Sequence, residues 1–438
     1  MQQQSFPNGF LATPADPASS ALDVLWRELL VAYHGTCAIS GCQVRAVLRP
    51  TLIDPQGPLE PHNALLLRAD LQLLFQAGLL TIDAMTLEVL IAPELRDSEY
   101  GLLVGRRLRQ PERLALRPSR QLLAVHHRLF QLEQPIPPSM APQQPLLHQI
   151  LAVQSWVSSV AFSPDQQILA TGSWDGMLRL WNVPDIQLRQ VINGHIGEIN
   201  AIAFSPDSQL VAAAGRLHGA RVWRVADGKF LFHLGDQKRH GACFSVAFQP
   251  QGHVIATGGW DQVIYLWDRT DGQAIGTFVG HEGLINSLTF SPDGSLLFSA
   301  GYDRIVRIWR MADRSLMYAL RGHGDTVFSV AASPDGCLVA SASADGMIFI
   351  WRITDGQPLQ VLSTPAGACF GLAFSPDGRY LASAHYGRVV CIWQIGDGTL
   401  RWELGSHNES VTCVTFAPDG HLLASGSYDS TVRIWSFR

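Results

Sequence analysis

Charge is scarce in this chain. Asp, Glu, Lys and Arg make up 16% of its 438 residues, against about a quarter in an ordinary soluble domain. A formal net charge of −5 excludes a generally basic nucleic-acid coat. No run of about 18 uninterrupted apolar residues occurs, so no membrane span is expected. The N-terminus does not pair a basic start with an apolar core, as a secretory signal would. Cysteine is limited to seven residues, an odd number. Five of them fall in the C-terminal part within strand-like apolar runs and read as buried free thiols of a reducing compartment. Clustered metal-ligand spacings and phosphate-cradling glycine loops are missing as well, so no cofactor is expected. Together these absences point to a soluble cytoplasmic protein.

What the chain does have is apolar mass and turn formers. Hydrophobic residues reach 47%, with 39 glycines and 25 prolines, enough for large cores in a fold full of turns. The length implies two or three units. Residues 1–22 are polar and rich in Pro and Ser, and read as disordered. Residues 23–130 are denser in Leu and Arg. Residues 131–145 hold five prolines and read as an extended, semi-stiff linker. Everything from 146 to 438 repeats.

The repeat is marked twice. Tryptophan recurs at Trp181, Trp223, Trp267, Trp309, Trp351, Trp393 and Trp435, with gaps of 42, 44, 42, 42, 42 and 42 residues. A Pro-centred turn keeps the same step, as Ser-Pro-Asp at 163, 205, 291, 333 and 375, Gln249-Pro-Gln and Ala417-Pro-Asp. Pro pre-sets the backbone for the second position of a β-turn, and Asp and Gly complete it. Short period-two apolar runs flank each turn. Each unit reads as strand, Pro-Asp turn, strand, tight turn, Trp-bearing strand and connector strand. Four strands in about 42 residues make a propeller blade.

With Gly194-His195, Gly280-His281 and Gly322-His323 ahead of their blades, residues 146–438 resemble the WD-repeat family. The resemblance implies an all-β, seven-bladed propeller. It also implies a hydrogen-bonded chain of His, Ser or Thr, Asp and Trp in each blade, here His407, Ser425, Asp429 and Trp435 in blade seven. Asp175, Asp261, Asp303 and Asp345 match the Asp position, six residues before their Trp, whereas Leu217 and Gly387 replace it. Pro365 stands where blade six should carry its His, so that blade is expected to be the loosest. Blade seven ends without a fourth strand of its own, and Leu146–Ala152 (LLHQILA) aligns with the fourth strands of the other blades. Supplying that strand from the start of the repeat would remove a sheet edge.

Two rings of residues are candidates for partner contact. Trp174, Arg216, Trp260, Tyr302, Ala344, Tyr386 and Tyr428 precede the Asp position at the tip of each second strand. Ser158, Asn200, Phe244, Asn286, Phe328, Phe370 and Thr412 lie five residues after the His position. In the WD-repeat family such positions contact peptides on the top face. The eight aromatics and Arg216 are residue types that dominate interface hot spots, although aromatics also suit strands for their own sake.

Residues 23–130 resemble a second family, the HNH nucleases of the ββα-metal type. The likeness runs through Cys37-Ala-Ile-Ser-Gly-Cys42, Asn63 to Asp70, Leu74-Phe75, Gly78 to Asp83, Pro93 to Arg96, Tyr100 and His127-Arg128. It implies a smaller α+β domain, with a histidine base and metal ligands at defined places. Here Thr51 stands at the base position and Gln72 at the helix-borne ligand; of the name-giving trio only Asn63 remains. An inactive relative is expected, and no residue is assigned to catalysis or to a metal. His62, Asp54, Asp70, His126 and His127 are the nearest substitutes. Seven arginines between Arg106 and Arg128 against the single acid Glu112 keep nucleic-acid binding as an alternative, though residues 1–150 as a whole balance 12 arginines against 13 acids. The favoured reading is a scaffold that binds a protein or peptide partner. A metal-dependent endonuclease and a non-catalytic nucleic-acid binder are its rivals, and the oligomeric state stays open.

Overall fold

The structure, a computed structural model, describes residues 17–40, 43, 48–54, 59–76, 79–92, 95, 99–113, 116–120, 122–124, 126, 145–183, 185–193, 197–217, 219–235, 241–363, 365–405 and 407–437. The segment expected to be disordered therefore lies outside the described residues up to 16, and so does the linker from 131 to 144. Two units divide the chain, Met1–Ile136 and Pro137–Arg438.

In the first unit, helix α1 spans Pro17–Ala32. It begins inside the stretch that composition marked as disordered, because a proline costs little in the first turn, where its missing N–H has no helical partner. Leu25 and Leu29, four residues apart and buried, hold α1 to the core. Strands β1 (Leu48–Leu52) and β2 (Ala64–Arg68) form an antiparallel pair, followed directly by helix α2 (Ala69–Gln76). Strands β3 (Leu80–Ile82) and β4 (Val89–Ile91) form a second pair. Leu65, Leu67, Leu71 and Phe75 complete the core that α1 joins.

The second unit is a seven-bladed propeller. Six blades are four-stranded antiparallel sheets at residues 157–193, 199–234, 243–279, 285–320, 327–363 and 369–405. Blade seven takes three strands from 411–436 and its fourth from β5 (Leu146–Ala152). That strand runs antiparallel to Thr431–Ser436, from Thr431↔Ala152 to Ser436↔Leu146.

Local chemistry explains the hairpins. In blade four the Ser291 hydroxyl donates to Asp293 (2.6 Å) and accepts from the Leu296 N–H (2.9 Å), while Asp293 also accepts from the Ser295 N–H (3.1 Å). Pro292 between them sets the turn. The second strands read as unbroken apolar or small runs because a blade faces one neighbour on each side; Ile168–Ser173 and Leu338–Ser343 are buried at all six positions. Six of the seven marker tryptophans pack toward the preceding blade. Trp181 joins Leu151, Val432 and Ile434 of blade seven, and Trp435 joins Ala382 and Val390 of blade six. Cys243, Cys369, Cys391 and Cys413 lie in strands, but Cys337 sits in the turn after Asp335, because the Pro-Asp turn runs one residue past Gly336 before the strand starts at Leu338.

Deleting Leu147–Leu151 strips the last strand from blade seven and uncovers Val432 and Ile434. The melting temperature of the whole propeller should drop by at least about 10 °C; unfolding monitored by circular dichroism at the full chain's own temperature would show that closure is dispensable.

Candidate functional site

Every first strand carries a β-bulge at its second residue, so Ser158, Asn200, Phe244, Asn286, Phe328, Phe370 and Thr412 are the unpaired residues of the ladder. A bulge re-aims its side chain, and here the polar ones turn to the next blade. Asn200 Nδ2 donates to the Cys243 carbonyl (2.9 Å), Asn286 Nδ2 to Val327 (3.0 Å) and Thr412 Oγ1 to Val157 (2.6 Å). Ser158 reaches the Ile199 carbonyl in the same way. These four positions staple one sheet to another. Phe244, Phe328 and Phe370 are half-buried, and the last two rings lie 5.1 Å apart.

The other ring lies immediately after each second strand, on the turn toward the third. Its backbone N–H groups bond across to the residue ahead of each first strand, for example Trp260 to Ala242 (2.9 Å) and Tyr302 to Leu284 (3.0 Å). Trp260, Tyr302 and Tyr386 are exposed by 64%, 53% and 65%. Arg216 is exposed too, but pairs with Glu198 at 3.0 Å. Trp174 and Tyr428 are half-buried because both pack on Trp156, with ring centroids 4.9 and 5.1 Å from it. Trp156, itself 46% exposed, was missed in the sequence; it precedes the first strand rather than following the second. Its signal was being the one tryptophan in the segments that lead into the first strands. Ala344 is half-buried and adds no ring.

Beneath this face lie the side-chain chains of the blades. In blade seven His407 Nδ1 meets Asp429 (2.9 Å), its Nε2 meets Ser425 Oγ (2.9 Å), and Trp435 Nε1 donates to the same hydroxyl (3.1 Å). Blade four repeats this with His281, Asp303, Ser299 and Trp309, and blade five with His323, Asp345, Ser341 and Trp351. Burial pulls the His407 imidazole below its ordinary pKa by more than Asp429 lifts it. Burial works to raise Asp429, but hydrogen bonds from Thr431, the Asn408 N–H and His407 outweigh it and hold the carboxyl low. A neutral imidazole clamped on both nitrogens and sealed from water is a staple with no free lone pair for chemistry.

Known proteins share this pattern. Residues 182–346 match the family described as WD repeat-containing protein 75 first beta-propeller, and residues 146–182, 356–394 and 398–436 match WD domain, G-beta repeat. The second unit is a seven-bladed propeller that is similar to these WD-repeat families. Among its relatives, pre-mRNA-processing factor 19 of Homo sapiens is 34% identical over 131 residues, which is 30% of this chain and 26% of that protein. Small ribosomal subunit protein RACK1 of Caenorhabditis elegans is 41% identical over 135 residues, 30% of this chain and 41% of the relative. The similarity thus spans only about a quarter to two fifths of these relatives. Both family matches begin at or after residue 146 and lend nothing to the HNH-like resemblance of residues 23–130.

The WD-repeat chain is edited blade by blade. Blade one has no histidine: Trp181 donates to Thr171 (3.1 Å), and Asp175 instead takes Arg179 (2.7 Å). In blade three Trp267 donates to Thr257 (2.7 Å). Gly194-His195 of blade two lies outside the described residues. Blade six, expected to be the loosest, keeps the chain by another route. His385, from the end of its second strand, places Nε2 2.8 Å from Ser383 Oγ, and Trp393 Nε1 donates to that hydroxyl at 2.7 Å. The sequence hid this substitute because it approaches Ser383 from two residues away along the same strand, not from the loop where Pro365 stands.

In the first unit the HNH positions have structural partners or none. Thr51 on β1 is fully buried, with its hydroxyl unbonded. Asn63 is also buried; its side chain accepts from the Asp54 N–H (2.9 Å) and donates to the Asp54 carbonyl (3.0 Å). Gln72 is half-buried on α2. Of the substitutes, His62 pairs with Glu60 (3.1 Å) and Asp70 with Arg68 (2.5 Å). His126 stacks on Phe75 at 3.6 Å and bonds to Thr81 Oγ1. Cys42, Gly78, Pro93, Arg96, His127 and Arg128 lie outside the described residues. Among the described residues no three His, Cys, Asp or Glu come together to hold a metal, and no helix is long and apolar enough to cross a membrane.

Burial pushes the His385 imidazole down to about 4, against a weaker lift from the Gly367 carbonyl. The unfolded chain, with an ordinary histidine near 6.5, takes up the proton first. Stability supplied by neutral His385 is therefore complete above about pH 6.5 and is lost as pH falls toward 4, up to about 3 kcal/mol. His385→Gln should flatten the fall in melting temperature between pH 6.5 and 4.5; parallel curves for the two proteins would remove this account.

Proposed function

We propose that the propeller is an interaction scaffold that takes a protein or peptide partner on the face carrying Trp260, Tyr302 and Tyr386. The observation that supports this most is their exposure. Three large rings at equivalent turns are left to solvent in a unit that buries all seven marker tryptophans. Exposed aromatics on a rigid frame lose little entropy on binding and supply the contacts that dominate interfaces. Trp156, Trp174 and Tyr428 extend the surface across the seam of blades seven and one. Phe244, Phe328 and Phe370 belong to the same reading as the inner ring.

For the first unit we infer a second binding module without catalysis. A degenerate HNH-like fold is supported by the succession of β1, β2 and α2 as hairpin and helix, and the missing base by the burial of Thr51. One observation favours nucleic acid as its ligand: Arg106, Arg107, Arg109, Arg113 and Arg120 are all exposed within 15 residues that contain one acid, Glu112.

Replacing Trp260, Tyr302 and Tyr386 together by Ala should cut the proteins recovered with the chain by affinity purification at least about tenfold, with the melting temperature unchanged. Full recovery by the triple variant would remove the aromatic face from the reading. Filter binding of a DNA duplex should weaken steeply between 50 and 200 mM salt if the arginines hold phosphates; a flat, weak response would leave the first unit to protein partners.

A further inference from the structure

Six of the seven marker tryptophans give their Nε1 to a Ser or Thr hydroxyl of their own blade, at 2.7 to 3.1 Å. Trp156 and Trp174 depart from that rule. Neither indole N–H has a hydrogen-bond partner among the described residues, and nor has the Tyr428 hydroxyl. The Trp174 N–H and the Tyr428 hydroxyl remain open to solvent, and the Trp156 side chain is exposed.

These rings form one corner at the seam of blades seven and one. The Trp156 centroid lies 4.9 Å from Trp174 and 5.1 Å from Tyr428, at tilts of 58° and 52°, and Trp174 meets Tyr428 edge-on at 6.1 Å. Rings tilted in this way do not cover each other's faces as a flat stack would. Their backbone is pinned. The Trp174 N–H donates to the Trp156 carbonyl (3.0 Å), the Tyr428 N–H to Ser410 (3.1 Å) and the Val153 N–H to Ser430 (2.8 Å). The carrying segments 153–157, 173–177 and 427–431 lie wholly within the described residues.

Charge contributes little here. Val153 to Trp156 are uncharged. Asp175 is taken by Arg179 and Ser173, and Asp429 by His407 and Thr431. Glu409 of the adjoining loop is exposed, next to Ser410, whose hydroxyl donates to the Tyr386 carbonyl of blade six (3.2 Å).

A guest suited to this corner is apolar on its flanks, uncharged, and rich in unbonded acceptors. A helix or sheet strand has already bonded its carbonyls within its own element, whereas a polyproline II segment leaves every one free. Proline adds no N–H that would need a partner. Successive residues of such a segment advance about 3.1 Å, so residues two apart are separated much as Trp174 and Tyr428 are. Its fixed backbone also loses little entropy on docking. We propose that Trp156, Trp174 and Tyr428 bind a proline-rich, extended segment of a partner protein. The prolyl rings pack on the aromatic faces, and the two indole N–H groups and the tyrosine hydroxyl donate to the carbonyls. This inference rests on the scaffold reading and names the kind of segment that the seam takes.

The test is fluorescence anisotropy of a dye-labelled decaproline titrated with the full chain, beside control decapeptides of alternating Gly-Ser and alternating Gly-Arg. Decaproline should saturate and the Gly-Ser peptide should not. Trp156→Ala should weaken decaproline at least about tenfold. Tyr428→Phe, which keeps the ring and loses only the donor, should weaken it about fivefold; this variant keeps the test valid if Trp156→Ala does not fold. Absence of saturation, or variants that bind as tightly as wild type, overturns the proposal. Tighter binding of the Gly-Arg peptide also overturns it and assigns the corner, with Glu409, to cations. If decaproline fails while the Trp260, Tyr302 and Tyr386 triple variant still loses its partners, this inference falls alone; if the triple variant also keeps its partners, the scaffold reading falls with it.

Discussion

The propeller depends on one pairing, that of β5 with the third strand of blade seven. Seven radial sheets would otherwise leave blade seven short of a strand beside the seam where the ring must close. An incomplete blade there would expose the apolar flank that Leu151 now covers together with Val432 and Ile434. The pairing joins residues nearly 290 positions apart, so it is costly to find and, once found, links both ends of the repeat in one sheet. A hydrogen bond from Thr412 to the Val157 carbonyl crosses the same seam on the inner side.

Given closure, each blade is held in two directions. Within the sheet, a hydroxyl on the second strand collects the tryptophan N–H and, in blades four to seven, an imidazole. Between sheets, bulged residues at the inner strands reach the next blade's backbone. The two systems meet at the turns that follow the second strands. Those turns are therefore rigid, and side chains displayed there, Trp260, Tyr302 and Tyr386 among them, are presented in fixed positions. A rigid display suits recognition and offers little to catalysis, because the polar groups beneath it already bond to one another.

The edits between blades carry the individuality of this protein. Blade six rebuilds its chain from His385, a change that keeps the hydroxyl bonded while replacing an acid-paired imidazole by one paired to a backbone carbonyl. Blade two, with Leu217 in the place of its acid, is edited differently. Repetition makes such departures visible, since six neighbours show what each position ordinarily does.

Much of this was legible in the sequence for a physical reason. A 42-residue recurrence of Trp and Pro-Asp can bury its apolar faces only by stacking like units, so blade number, strand order and the closing strand LLHQILA all follow from spacing. The chain His407, Ser425, Asp429 and Trp435 was legible for the same reason, because its members sit at fixed offsets. Other features depend on distances through space that spacing does not encode. The approach of His385 to Ser383, the gathering of Trp156 with Trp174 and Tyr428, and the turning of Asn200 and Thr412 toward the next blade are of this kind.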